Sequence, residues 1–417
     1  MNHDTPHTHF KQAGFSLVEI MVGLVIGLLA TLVVLQVFSV FEGQKRTTTG
    51  TADAQTSGNV ALYAIKRDVG MAGYGLLPIV NTPLDCGTVN FNIDTAATGI
   101  TALSTFSPIT ITDGGTAPGA SDIITLRYST SNTGGAISQI GAIAGNAVSV
   151  GDNLACNAGD LALVIHSAKG SCGLTSVQSI TAGDHMNVNL TSVPAGSANG
   201  ENLACLGKWQ EIEYRINQTY DPTVPAKSQA YLQRKVSTFP IPLPNPPGNP
   251  ATGDPSVVDI VNIQAQYGIS ATAQTNQIVQ WVNAKDAASW NAAVDGPQVI
   301  DPATGNAMDF GPGLTIPNRN LIKAIRVAVV ARNGLLEKTY VTNSCSSLTG
   351  DAPTGLCAWA GSSAGTVISS PAPAIDLSND KDTSDLLLPN RWQRYRYRVF
   401  ETIIPMRNVI WSWGSLP

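Results

Sequence analysis

One carboxylate, Glu19, stands near the start of an apolar run of 27 residues from Phe15 to Phe41 and is the only charge within it. As a helix this run is about 40 Å long, enough to cross a hydrocarbon core about 30 Å thick. An acid inside such a span costs roughly 2.5 to 3.5 kcal/mol on insertion scales, so it marks a functional position by default. Glu19 needs either a partner cation or a proton.

Other patterns with chemical potential are weaker. Gly361-Ser362-Ser363-Ala364-Gly365 matches the G-x-S-x-G of a hydrolase nucleophile elbow, but Thr366 to Pro371 does not read as the helix that such a strained turn requires. A membrane-anchored hydrolase or binding protein is therefore only the alternative from another class, and no enzymatic activity is expected. His166 and His185 lack metal-ligand spacing. Asp376, Asp380, Asp382 and Asp385 carry oxygen ligands of the kind calcium prefers, without the glycine and terminal Glu of an EF-hand loop. They form a candidate calcium site against the plainer reading of a solvated loop, and no other cofactor is expected. Arg394, Arg396 and Arg398 alternate with Tyr395, Tyr397 and Val399. As a strand this segment puts three cations on one face, read here as internal or subunit-facing. Nothing suggests a broad basic surface, so no nucleic acid is expected.

Met1 to Gly14 is short and polar, with Lys11 near its end. The apolar run follows the small residue Gly14, whereas in a secretory signal it precedes the cleavage site. In this setting Gly14-Phe15-Ser16-Leu17-Val18-Glu19 resembles the start of the type IV pilin and pseudopilin family. The resemblance implies that a prepilin peptidase cuts after Gly14 on the cytoplasmic side, that the new terminus Phe15 is N-methylated, and that the apolar helix is retained. It also implies that Glu19, the fifth mature residue, pairs with the terminal amine of a neighbouring subunit during assembly.

All six cysteines, Cys86, Cys156, Cys172, Cys205, Cys345 and Cys357, follow the apolar run, an even count that suits an oxidising compartment. Cys345 with Cys357 is the first expected pair, because the Ser, Gly and Pro between them suggest a closed surface loop; Cys156 with Cys172 is the second. Lys11 lies before the run and Lys45 and Arg46 after it, so the positive-inside rule does not decide the orientation. The expected location is a single pass of the inner membrane with a cytoplasmic N-terminus and a periplasmic globular region, and later the pilus at the cell surface.

These residues need a scaffold. The chain is 43% hydrophobic and 13% charged, with 39 Gly, 25 Pro and a formal net charge of -5, a loop-rich exported type of composition. The fold class expected is α+β, a long N-terminal helix followed by a large, mainly antiparallel β region. Residues 1–14 read as a leader, 15–42 as the transmembrane and assembly helix, 43–75 as its amphipathic continuation, and 76–417 as the globular region. Leu62, Ile65 and Val69 keep a helical spacing, and Gly70, Gly73, Gly75 and Pro78 end the helix. Strands are predicted over 123–128, 161–166, 186–190, 209–216, 229–236, 321–331 and 395–404. Val257, Ile260, Val261 and Gln264 suggest a short helix. The proline-rich tract over 239–256 reads as an extended connection, and one elaborated domain or two subdomains split there both fit.

A second resemblance lies downstream. Asp122–Tyr128, Leu232–Arg234, Val261–Gly268, Ile325–Arg332 and Phe400–Asn408 occur in the order seen in PilW-type minor pilins. It implies a minor pilin that joins other minor pilins in a complex priming type IV pilus assembly, at or near the tip. The implied partners are those minor pilins, the major pilin, the prepilin peptidase and the inner membrane. A minor pseudopilin of type II secretion shares the cleavage motif and is the alternative within this architecture.

Overall fold

The structure is a computed structural model that describes residues 14, 16–76, 88–91, 107–115, 117, 119–153, 156–166, 171–181, 183–219, 229–239, 255–272, 275–284, 316–345, 355–359, 368–369, 375–377 and 391–414. The chain divides into two compact units, Met1–Ala52 and Asp53–Pro417. Helix α1, Leu17–Val69, has 53 residues and begins in the first unit and ends in the second. No proline interrupts the sequence between Pro6 and Pro78, so no i→i−4 hydrogen bond need be lost along it.

In the first unit the helix leaves its apolar side chains, Leu17, Ile20, Leu24, Leu28 and Phe41 among them, exposed. That stretch is long and apolar enough to cross a membrane. In the second unit Ala54, Gly58, Ala61, Ile65 and Val69 are buried, at the three- and four-residue spacing of one helix face. Lys66 and Arg67 sit in the last turn, where cations suit the helix dipole. The chain then turns through Gly73 and Gly75, whose φ angles of 78° and 81° a side chain would resist.

The rest of the second unit is mainly antiparallel β structure. One sheet holds β2 (Ile109–Thr112), β3 (Ile123–Ser129), β10 (Trp209–Thr219), β11 (Gln229–Phe239) and β12 (Pro255–Val258), in the order β12-β11-β10-β3-β2. Another holds β13 (Ile260–Ser270), β14 (Ile278–Asn283), β15 (Ile322–Arg332), β16 (Ile368–Ser369) and β17 (Tyr397–Pro405), in the order β16-β14-β13-β15-β17. Ile124, Leu126, Ile212, Tyr214 and Leu232 of the first sheet and Ile263, Tyr267, Ile325, Val327 and Val329 of the second share the core that buries the end of α1.

Between β3 and β10 the chain makes a third β structure. β4 (Ile137–Ala144), β5 (Ala147–Val150), β6 (Leu161–His166), β7 (Ser171–Ser179), β8 (Asn187–Leu190) and β9 (Asn202–Gly207) pair all round in the cycle β4-β5-β8-β7-β6-β9-β4, and β1 (Thr88–Phe91) adds to β7 in parallel. Closure leaves the six strands of the cycle without a free edge. Ile140, Val148, Val164, Val188 and Leu203 form a core of its own. Trp209 and Ser129 are register partners, so the barrel begins and ends on neighbouring strands.

The segment read as a short helix is instead strand, turn and strand. Val257, Ile260, Val261 and Gln264 imitate a helical spacing only because Asp259, with φ of 61°, turns the chain between β12 and β13. Within β13 the period is two: Ile263, Ala265 and Tyr267 face the main core while Asn262, Gln264 and Gln266 are buried on the other face. The proline-rich tract connects β11 to β12, which pair with each other in one sheet, and everything from Asp53 onward forms one compact unit. Between them, residues 240–254 lie outside the described residues. Among the described residues the unit also has two short helices, α2 (Ile316–Leu321) and α3 (Arg407–Gly414).

A clasped helix as the candidate assembly site

The helix end is held by charge as well as by packing. Asp68 in the last turn of α1 is 4% exposed. Its Oδ2 accepts the Tyr214 hydroxyl from β10 and Nε–H of Arg234 from β11, each at 2.6 Å, and its Oδ1 accepts Nε–H of Arg67 at 2.9 Å. Burial alone would raise this carboxyl's pKa, but hydrogen bonds from Arg234, Arg67 and Tyr214 outweigh it and hold the group below its ordinary value. Burial, then the hydrogen bond and charge of Asp68, push the Tyr214 phenol well above its own. The carboxylate thus stays charged and ties the helix to two strands.

Other contacts fix the same segment. Gly58 lies against the Phe400 ring of β17 so closely that a Cβ there would stand 2.2 Å from Cδ2. Asn408 in α3 donates its side-chain N–H groups to the carbonyls of Gly70, Met71 and Ala72 at 3.3, 3.2 and 3.0 Å, satisfying acceptors just beyond the helix end. Asp122, just before β3, accepts N–H of Gly114 at 3.0 Å and of Ala265 in β13 at 2.7 Å, which joins the two five-stranded sheets. Burial pushes this carboxyl up to about 7, with the Asp113 charge adding and the two N–H donors opposing.

Beyond the core, β13 and β15 carry a buried polar face. Arg326 donates Nε–H to Gln266 at 2.6 Å and lies between the Trp281 and Trp359 rings, 5.2 and 4.4 Å from their centroids. Desolvation lowers its pKa to about 10. Gln264 Nε2 donates to Asn262 and to the Ala120 carbonyl. Segments of the downstream resemblance therefore hold the helix and sheets together: Asp122 and Gln264 link β13 to the chain before β3, Arg234, Phe400 and Asn408 hold the end of α1, and Arg326 fixes β15 to β13.

The residues expected to direct processing and assembly lie in the first unit. Gly14 and Glu19 are exposed, with Glu19 in the first turn of α1. Phe15 lies outside the described residues, as do Gly361–Gly365, Asp380, Asp382 and Asp385; Asp376 is described, its carbonyl accepting N–H of Gly119. Among the described residues no group of three or more His, Cys, Asp and Glu could hold a metal ion. His166 bonds through Nδ1 to Glu201 at 2.9 Å, a polar anchor at the end of β6.

The cysteines correct one expectation. Cys156 is bonded to Cys205, not to Cys172. The two lie 49 residues apart in sequence, and closure of the barrel, invisible in local spacing, brings their Cα atoms to 5.2 Å. Cys345 is bonded to Cys357. Cys172 is also in a disulfide, and Cys86 lies outside the described residues.

The arginine alternation is also corrected. Arg391–Arg394 is a 3-10 turn that buries Trp392, and β17 starts only at Tyr397. Arg394 therefore stacks on Tyr340, Arg396 pairs with Glu337 at 2.8 Å, and Arg398 alone lies in the strand. Sequence reading missed the Asp68 clasp, although one signal was there: an acid in the last turn opposes the helix dipole and calls for a partner.

Comparison with known proteins gives two family matches. The model described as Type IV Pilus-assembly protein W matches residues 223–408, and the prokaryotic N-terminal methylation motif matches residues 9–35. No curated protein matches the chain. Among solved structures, a type IV-like pilin from Thermus thermophilus aligns at 12% identity over 60% of this chain and 86% of that one, with a TM-score of 0.21, too low to inform the architecture. The first match contains Arg234, Gln264, Arg326, Phe400 and Asn408, and the second contains Gly14, Phe15 and Glu19.

Proposed function

Because the chain is a type IV pilin of the PilW type, we propose that it is a minor subunit that primes pilus assembly and sits at or near the tip. The observation that carries this reading is the union of two parts in one helix. The first half of α1 carries the methylation motif and an exposed apolar surface with Glu19. The second half is fixed to the matched sheets by Asp68, Gly58 and Asn408.

In this reading prepilin peptidase cleaves after Gly14, the new Phe15 amine is methylated, and the apolar helix holds the subunit in the inner membrane until it enters the filament. Glu19 then meets the amine of an adjacent subunit, a partner that offsets the cost of an acid in an apolar setting. The globular region faces the oxidising side, which suits its disulfides. Family and fold point to a structural subunit. Immunogold labelling of sheared pili tests the placement: label confined to filament ends supports it, and label along the shaft contradicts it.

A further inference from the structure

We propose, building on assembly among pilin subunits as inferred above, that a basic lobe formed by residues 332–340 and 391–398 docks an acidic face of a neighbouring pilin subunit. The two segments run side by side, with N–H of Asn333 donated to the Arg396 carbonyl and N–H of Glu337 to the Arg394 carbonyl. They bring together Arg332, Lys338, Arg391, Arg394, Arg396 and Arg398, six of the chain's 24 basic residues, and among the described residues only Glu337 of its 29 acidic ones. Such a lobe seats against acidic protein surface and orients its neighbour by doing so.

The lobe has the composition of a protein interface. Leu336 is 41% and Tyr340 54% exposed, Arg394 stacks on Tyr340 at 5.4 Å, and Arg332 stacks on the buried Tyr395 at 5.0 Å. Exposed aromatic and aliphatic groups among arginines are the makings of an interface hot spot. A phosphate backbone calls instead for a run of cations aimed outward. Of the lobe's three exposed cations Arg396 is already paired with Glu337, and Arg394 stacks on Tyr340, so Lys338 and Arg398 form the rim.

The test places a photo-cross-linking phenylalanine at Tyr340 in the full-length chain, in piliated cells, with and without Lys338→Glu and Arg398→Glu together. Both reversed residues are exposed, so the fold should hold, and an unchanged thermal midpoint verifies it. The expected result is an adduct to a pilin subunit at a peptide rich in Asp and Glu, reduced about tenfold or more by the reversals, since like charges across an interface cost several kcal/mol. Absence of a pilin adduct, an adduct insensitive to charge reversal, or salt-dependent retention of the purified chain on DNA in place of the adduct would overturn the proposal. Pilus counts in a strain lacking the chain report separately on the priming role, so the two readings fail independently.

Discussion

Asp68 and Arg234, 166 positions apart, meet at 2.6 Å, and through this contact the last turn of α1 is tied to the middle of β11. Tyr214 donates to the same oxygen from the next strand. An unpaired charge would be left on Arg234 if the carboxylate were removed, which makes this contact costly to break even if it adds little when intact.

Asp68→Asn should lower stability by about 3 kcal/mol while leaving processing at Gly14 unchanged. Urea or thermal unfolding of the detergent-extracted protein measures it. A shift within error of wild type would mean that packing of Ile65 and Val69 alone fixes the helix.

Gly58→Ala improves helix propensity by about 1 kcal/mol in an exposed helix. Here it should destabilise by roughly 1 to 3 kcal/mol, because the new methyl overlaps Phe400. Phe400→Leu should recover part of the loss in the double variant. Equal and additive losses would show that the two side chains do not compete for space.

Asp122 makes stability depend on pH. Its folded pKa, about 7, lies above the unfolded value near 3.8, so folding favours the protonated form. Its contribution is complete below about pH 4 and is lost as pH rises through about 7. Asp68 has the opposite sign, with a depressed pKa whose contribution is lost only in more acid solution. Asp122→Asn should flatten the fall in unfolding midpoint between pH 4 and 7. Parallel curves for variant and wild type would remove Asp122 as the cause.

How much of the molecule is legible in its sequence depends on the range of the interactions. The N-terminal methylation motif, the end of α1 and most strands can be read from local pattern, because span length, helical spacing and alternation are properties of neighbouring residues. The misread helix over Val257–Gln264 has the right apolar spacing, but a turn at Asp259 splits it, and one backbone angle decides between the two. Cys156–Cys205 and Asp68–Arg234 join residues whose proximity follows only from strand order. Neither pairing has a local signature beyond the acid in the last turn of α1.

Glu19→Ala should be inserted, cleaved after Gly14 and methylated at Phe15 as in wild type, yet fail to support piliation. Intact mass and N-terminal sequencing establish the first part, and pilus counts the second. Normal fibre numbers would refute pairing of Glu19 with a neighbouring amine.

The priming role itself is tested most directly by counting surface pili in a strain that lacks this chain, with filament retraction blocked and major pilin levels unchanged. The account predicts nearly bald cells, with fibres restored by the wild-type chain. Fibre numbers equal to those of the parent strain would contradict it.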